Sequence, residues 1–130
     1  MIRLPPLDEI ALRWAQIEPL LKRATDRSTC YEPIDLLRLT MAGQAIIWVA
    51  EEAGGIIAAA WGQIHIFPRQ RMLEVPFIGG RGLKLWWEPM LAALDEYARA
   101  TQCAGVLGYG RKGWAKYGFR VTGVTLQRDL

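Results

Sequence analysis

A mixed α/β sheet with helices on both faces is the architecture this sequence predicts, and three observations carry it. Up to Met41 the apolar residues recur with a helical period. From Ala45 the period drops to two, with turn signals at Glu51–Gly55 and Pro68–Gln70. The final third then reads helix, strand, short helix, strand. Hairpins followed by a strand–helix–strand crossover require a sheet with both antiparallel and parallel neighbours. With 130 residues and 52% hydrophobic content, the chain fits one domain, 1–130, with one core.

From Asp8 to about Arg27, Ile10, Trp14, Ile17 and Leu21 fall at helical spacing, so they stack on one face. Pro19 removes a donor inside this stretch, which places a break near Glu18 and a second helix starting on Pro19. Glu32-Pro33 opens the next helix, with Ile34, Leu36, Leu37, Leu39 and Met41 as its buried stripe and Gly43 just past its end. Ala45–Ala50 and Ile56–Phe67 form a hairpin, and Arg71–Ile78 is the third strand of the meander. An additional strand at the extreme N-terminus is compatible with this order. Gly79-Gly80-Arg81-Gly82 leads into a long helix, Leu85 to about Thr101. On that helix Trp86 and Trp87 point about 100° apart, so only one of them faces the core fully.

The composition narrows the function classes. Lys and Arg are scattered rather than run together and give a net charge of +3, which suits a small anionic ligand at least as well as a polynucleotide. Cys30 and Cys103 lack metal-ligand spacing, so no metal site is expected, and they read as reduced thiols. No uninterrupted apolar run reaches membrane-spanning length, and Met1–Pro6 lacks a secretory apolar region. A cytoplasmic protein without a membrane partner is the expectation.

The C-terminus is the most informative segment. Ala104–Tyr109 is an apolar strand, Gly110–Tyr117 a short basic and aromatic helix, and Gly118-Phe119 leads to an alternating closing strand, Arg120–Leu130. This pattern resembles the C-terminal part of the GNAT superfamily of acyl-CoA-dependent N-acetyltransferases, and the element order matches that fold after Asp8. The length and the Gly-Arg-x-Gly-Trp segment are also similar to small GNAT-like proteins of tailed bacteriophages and prophages, which would place it in the host cytoplasm or the virion. The resemblance implies a GNAT-like single domain and transfer of an acetyl group from acetyl-CoA, a co-substrate, to an amine. The sequence does not identify the amine. A catalytically silent accessory protein acting through protein contacts or as a homo-oligomer is the competing class, and a nucleic-acid module the third.

The resemblance assigns the loop Gly79, Gly80, Arg81, Gly82 to the CoA pyrophosphate, although the family's glycine spacing is not reproduced there. The alternative is a tight turn requiring positive φ. Pro76 cannot donate to a ladder, so it marks a bulge or an edge. The family has a bulge here, which implies that Val75 and Phe77 leave backbone groups free for the pantetheine arm. Glu74 is a candidate general base, with His65 on the neighbouring strand as a second candidate. Glu74 alternatively pairs with Arg69 or Arg71, and His65 is alternatively an ordinary strand residue. The family's proton-donating tyrosine aligns with Trp114, whose indole donates hydrogen bonds but is no practical acid. Tyr109 and Tyr117 are the phenols that reach the same neighbourhood. Arg111, Lys112, Trp114, Lys116 and Arg120 form a basic cluster suited to the phosphoadenosine end of CoA, with Arg111 and Trp114 foremost, or to a solvated helix face.

Overall fold

The structure, a computed structural model, describes residues 1–110 and 112–130. Its elements are β1 (Ile2–Arg3), α1 (Leu7–Leu12), α2 (Trp14–Thr25), α3 (Pro33–Met41), β2 (Ile46–Glu52), β3 (Gly55–Ile66), β4 (Arg71–Gly80), α4 (Leu83–Ala100) and β5 (Gly105–Gly108). A 3₁₀ turn, Lys112–Tyr117, follows β5. The sheet order is β1-β2-β3-β4-β5, antiparallel as far as β4, with β5 parallel to β4. The mixed α/β sheet expected from the sequence is therefore present.

Alternation along the strands divides the apolar residues between two layers. Ile47, Val49, Trp61 and Phe77 pack under Ile10, Ile17, Leu21 and Leu36 of α1–α3. On the opposite face Trp48, Ala58, Ala60, Leu73 and Val75 pack against Trp86, Met90 and Leu94 of α4. Each layer removes a continuous apolar surface from water, the main favourable term in folding.

Leu73 and Val75 face α4, yet Phe77 faces the other helices. The cause is a bulge. Trp61 pairs with Phe77 and Gln63 with Glu74, so Val75 and Pro76 together oppose Gly62. A side chain at position 62 would place its Cβ 2.7 Å from the Glu74 carbonyl oxygen, which is why glycine stands there.

Several expectations are corrected. The first helical break falls at Arg13, and Pro19 lies inside α2 on its exposed face, where a carbonyl that loses its donor is not sealed in the core. In α3 Met41 and Ile34 are exposed, and Thr40 takes the buried place. Its hydroxyl donates to the Leu36 carbonyl at 2.7 Å and accepts the Trp61 indole N–H at 3.0 Å, so the polar group is buried with partners. Trp86 and Trp87 are both buried, because Trp114 and Tyr117 cover the second ring from outside the helix. Gly79 and Gly80 belong to β4 rather than to a loop. The closing strand is absent: residues 120–130 are exposed and unpaired with the sheet, leaving β5 as its edge.

Candidate active site

The parallel pairing of β4 and β5 runs from Met72↔Gly105 to Val75↔Gly108 and stops there. β4 continues to Gly80 bonded only to β3, so the two strands part beside Pro76. The missing proline N–H and the extra residue of the bulge both act at this point. Val75 and Phe77, which flank the proline, are buried, and their side chains enter opposite core layers.

Just before the parting, Glu74 is held from both sides. The Tyr109 hydroxyl donates to Glu74 Oε2 at 2.6 Å, and His65 Nδ1 lies 2.7 Å from Glu74 Oε1. Sequence reasoning named all three residues but did not connect them. Glu74 pairs with neither Arg69 nor Arg71. The bond to Glu74, then burial, then the nearby negative charge push the Tyr109 phenol up to about 12. Tyr109 consequently keeps its proton across the physiological range.

Beyond the parting lies a cavity of ≈ 330 Å³, lined by the end of β4, the first turns of α4, Arg23 of α2, Arg27 just past the end of that helix, and the rings of Trp114 and Tyr117. Arg23 donates to the Gly80 carbonyl at 3.1 Å. Gly79 and Gly80 are glycines for close packing: a Cβ at Gly79 would sit 2.0 Å from the Leu20 carbonyl oxygen, and one at Gly80 2.5 Å from Ala58 Cβ. The Arg81 amide is committed to the Ile57 carbonyl at 2.9 Å. Gly82, at φ +69°, starts α4 in the left-handed conformation. The anion-binding groups available at this end are therefore the first amides of α4 together with Arg23 and Arg27. Those arginines were not singled out from the sequence, where only their spacing of four on one helical side hinted at shared placement.

Trp114 lies against the chain leaving β5. Its ring approaches the Cβ position of Gly110 to 2.6 Å and is T-stacked on Trp87 at a centroid separation of 5.0 Å and on Phe119 at 5.6 Å. Tyr117 meets Trp87 at 4.9 Å and forms no hydrogen bond with Glu74 or His65. The structure thus separates the two phenols: Tyr109 beside the carboxylate, Tyr117 in the cavity. Lys116 and Arg120 are exposed, and Arg111 lies outside the described residues.

No protein-family model and no curated protein matches the sequence. The structure is similar to a GNAT family acetyltransferase of Staphylococcus aureus, with a TM-score of 0.74 at 13% identity over 100% of this chain and 98% of that one. A ribosomal-protein-alanine N-acetyltransferase of Brucella melitensis superposes with a TM-score of 0.74 at 13% identity, covering 100% and 99%. A predicted acetyltransferase of Clostridium acetobutylicum, solved with acetyl-CoA, gives 0.69 at 21% identity over 99% and 95%. The fold is that of the GNAT acetyltransferases.

Proposed function

We propose that this chain transfers an acyl group from an acyl-CoA to an amine. The observation that carries the reading is the parting of β4 from β5 at the bulge, with a hydrogen-bonded carboxylate on one side of it and an arginine-flanked cavity on the other. The cavity suits the donor. Arg23, Arg27 and the opening amides of α4 offer positive charge to a pyrophosphate. Backbone groups of β4 around Val75 and Phe77, released from β5, are available to the pantetheine amides. Trp114 walls the cavity, and Arg111 is assigned to the phosphoadenosine end.

Glu74 accepts the proton of the attacking ammonium, directly or through water, and His65 and Tyr109 fix its orientation. The amine nitrogen then forms the C–N bond, the C–S bond breaks, and the thiolate takes a proton. Tyr109 is a poor source for that proton. A phenol near 12 stands roughly 3 pK units above an ordinary thiol, so donation runs uphill. Tyr117, which lines the cavity, is the better-placed donor.

Calorimetric titration with CoA and acetyl-CoA tests the donor site. Binding that weakens at least tenfold in Arg23→Ala/Arg27→Ala supports the assignment. Absence of binding at millimolar CoA would overturn it and favour the catalytically silent reading, for which the packed ring of Trp114 at the family's tyrosine position speaks.

A further inference from the structure

Two cavities adjoin Trp114. The arginine-flanked one lies beyond the parting of the strands. A second, of ≈ 830 Å³, runs along β5, with Gly108, Tyr109 and Gly110 on one side and residues 118–125 on the other. Among the described residues, Trp114 alone lines both. Its place is the parting itself. The ring comes within 3.2 Å of the Cβ position of Gly108, the last residue of β5 that pairs with β4, and within 2.6 Å of that of Gly110. A side chain at position 110 would take the ring's space.

The two sides of this partition hold different parts of the chemistry. Arg23 and Arg27 stand in one cavity, and Tyr109, whose hydroxyl is bonded to Glu74, lines the other. At ≈ 330 Å³ the first is at the lower end of ligand pockets, roughly 300–1,000 Å³. A donor with its diphosphate at the arginines and its thioester near Glu74 must cross the place where the ring lies. What holds the ring is aromatic contact, T-stacking on Trp87 and on Phe119. The 3₁₀ turn that carries it lies between Gly110 and Gly118, the latter at φ +90°. Glycines on both sides leave that turn free to rotate as a unit.

We propose that Trp114 is a gate. With its ring on Gly108 and Gly110 the two cavities are separate, and with the ring withdrawn they join into one channel from Arg23 and Arg27 to Tyr109 and Glu74. This rests on the transferase reading for the identity of the ligand, whereas the two positions of the ring do not depend on catalysis. A ligand that needs the open position binds with its intrinsic affinity reduced by the fraction of molecules that are open. A change that expels the ring in advance therefore tightens binding.

Gly110→Ala is such a change. Gly110 has no positive φ, so alanine meets no backbone strain there, and its Cβ displaces the ring. Calorimetric titration should show Gly110→Ala binding CoA at least about fivefold more tightly than the native protein. The gain should vanish when Trp114→Ala is already present, since both changes act through one ring. Trp114→Phe, with a smaller ring, should gain in the same direction, and it carries the test if a thermal melt shows Gly110→Ala unfolded. In protein labelled with 5-fluorotryptophan, the Trp114 resonance is identified among the six by its loss in Trp114→Phe. It should move with CoA and stay in place with inorganic pyrophosphate, which occupies only the arginine side. CoA binding with that resonance unmoved, no gain in either variant, or a Gly110→Ala gain that persists without the ring overturns the gate and leaves the transferase reading standing. CoA binding by the opened variants but not by the native protein leaves the gate standing and removes the transferase reading for the native chain. Absence of CoA binding in all of them removes both.

Discussion

Tyr109 and Glu74 stand on adjacent parallel strands, and the phenol of Tyr109, one residue past the last paired position of β5, reaches back to the carboxylate at 2.6 Å. The bond depends on the two strands staying together as far as Val75 and Gly108 and no further. A carboxylate so anchored keeps a fixed direction towards the gap.

Removing the carboxylate should be far more costly than removing its support. Glu74→Gln is expected to lower acyl transfer by about 10²–10⁴-fold with acceptor binding retained, the range for losing a general base. Tyr109→Phe takes away one hydrogen bond to the carboxylate and His65→Gln its imidazole contact, and each is expected to cost on the order of tenfold. Thiol-release assays across pH on the three variants check this order. Equal losses in all three would mean that Glu74 is not the proton acceptor.

The phenol also gives a stability prediction in alkali. The Tyr109 proton is held more tightly in the folded protein than in the unfolded chain, from an ordinary value of 10 to about 12. Its contribution is therefore complete below pH 10 and disappears as pH rises through 12. Thermal melts between pH 9 and 12 should show a steeper decline for the native protein than for Tyr109→Phe.

The acid limb belongs to a different cluster. Arg3 bonds both Glu9 and Glu51, and Arg13 meets Glu51 at 2.8 Å, tying β1 and the first helical break to β2. The hydrogen bonds from Arg3 hold the Glu9 and Glu51 carboxyls below the ordinary carboxylate value of 4.5. Their contribution is present above that value and is lost as pH falls below it. Arg3→Gln should flatten the fall in melting temperature below pH 4.5 while changing the alkaline limb little.

Trp114 separates a packing role from a chemical one. Trp114→Ala is expected to destabilise the fold by about 2–4 kcal/mol, since it empties the space between Trp87 and Phe119. Trp114→Tyr keeps most of that contact, costs ~1–2 kcal/mol and places a phenol at the family position, so turnover at neutral pH should rise. A thermal melt beside the rate assay distinguishes the outcomes. A stability loss without a rate gain would mean that the ring only fills space.

Gly79 should be intolerant of any side chain. A Cβ there meets the Leu20 carbonyl at 2.0 Å, so Gly79→Ala must push α2 off β4 and is expected to cost more than ~3 kcal/mol. Gly54→Ala, with nothing within 4 Å, should be close to neutral. Denaturant midpoints for the pair provide the comparison.

Much of this arrangement is legible in local chemistry. The change of period after Gln44, the Glu32-Pro33 start and the Gly43 stop of α3 each rest on a residue whose backbone preference needs no distant partner. Pro76 marked an irregularity, a bulge or an edge, for the same reason, because a missing N–H disrupts a ladder wherever the chain goes, and the structure has the bulge. Pro19 misled, since the cost of a helical proline depends on which side of the helix meets water, and its side is exposed.

The sequence by itself therefore determined the mixed sheet and the order of its elements as far as the strand before the closing one, consequences of periodicity and of backbone groups that proline and glycine add or remove. Only the tertiary structure decided that His65 and Tyr109 both meet the Glu74 carboxylate, that Arg23 and Arg27 reach the cavity, and that residues 120–130 leave the edge of β5 open. Those facts depend on strand register and on how helices cross the sheet. Both are set by packing between residues far apart in the chain, which no local pattern records.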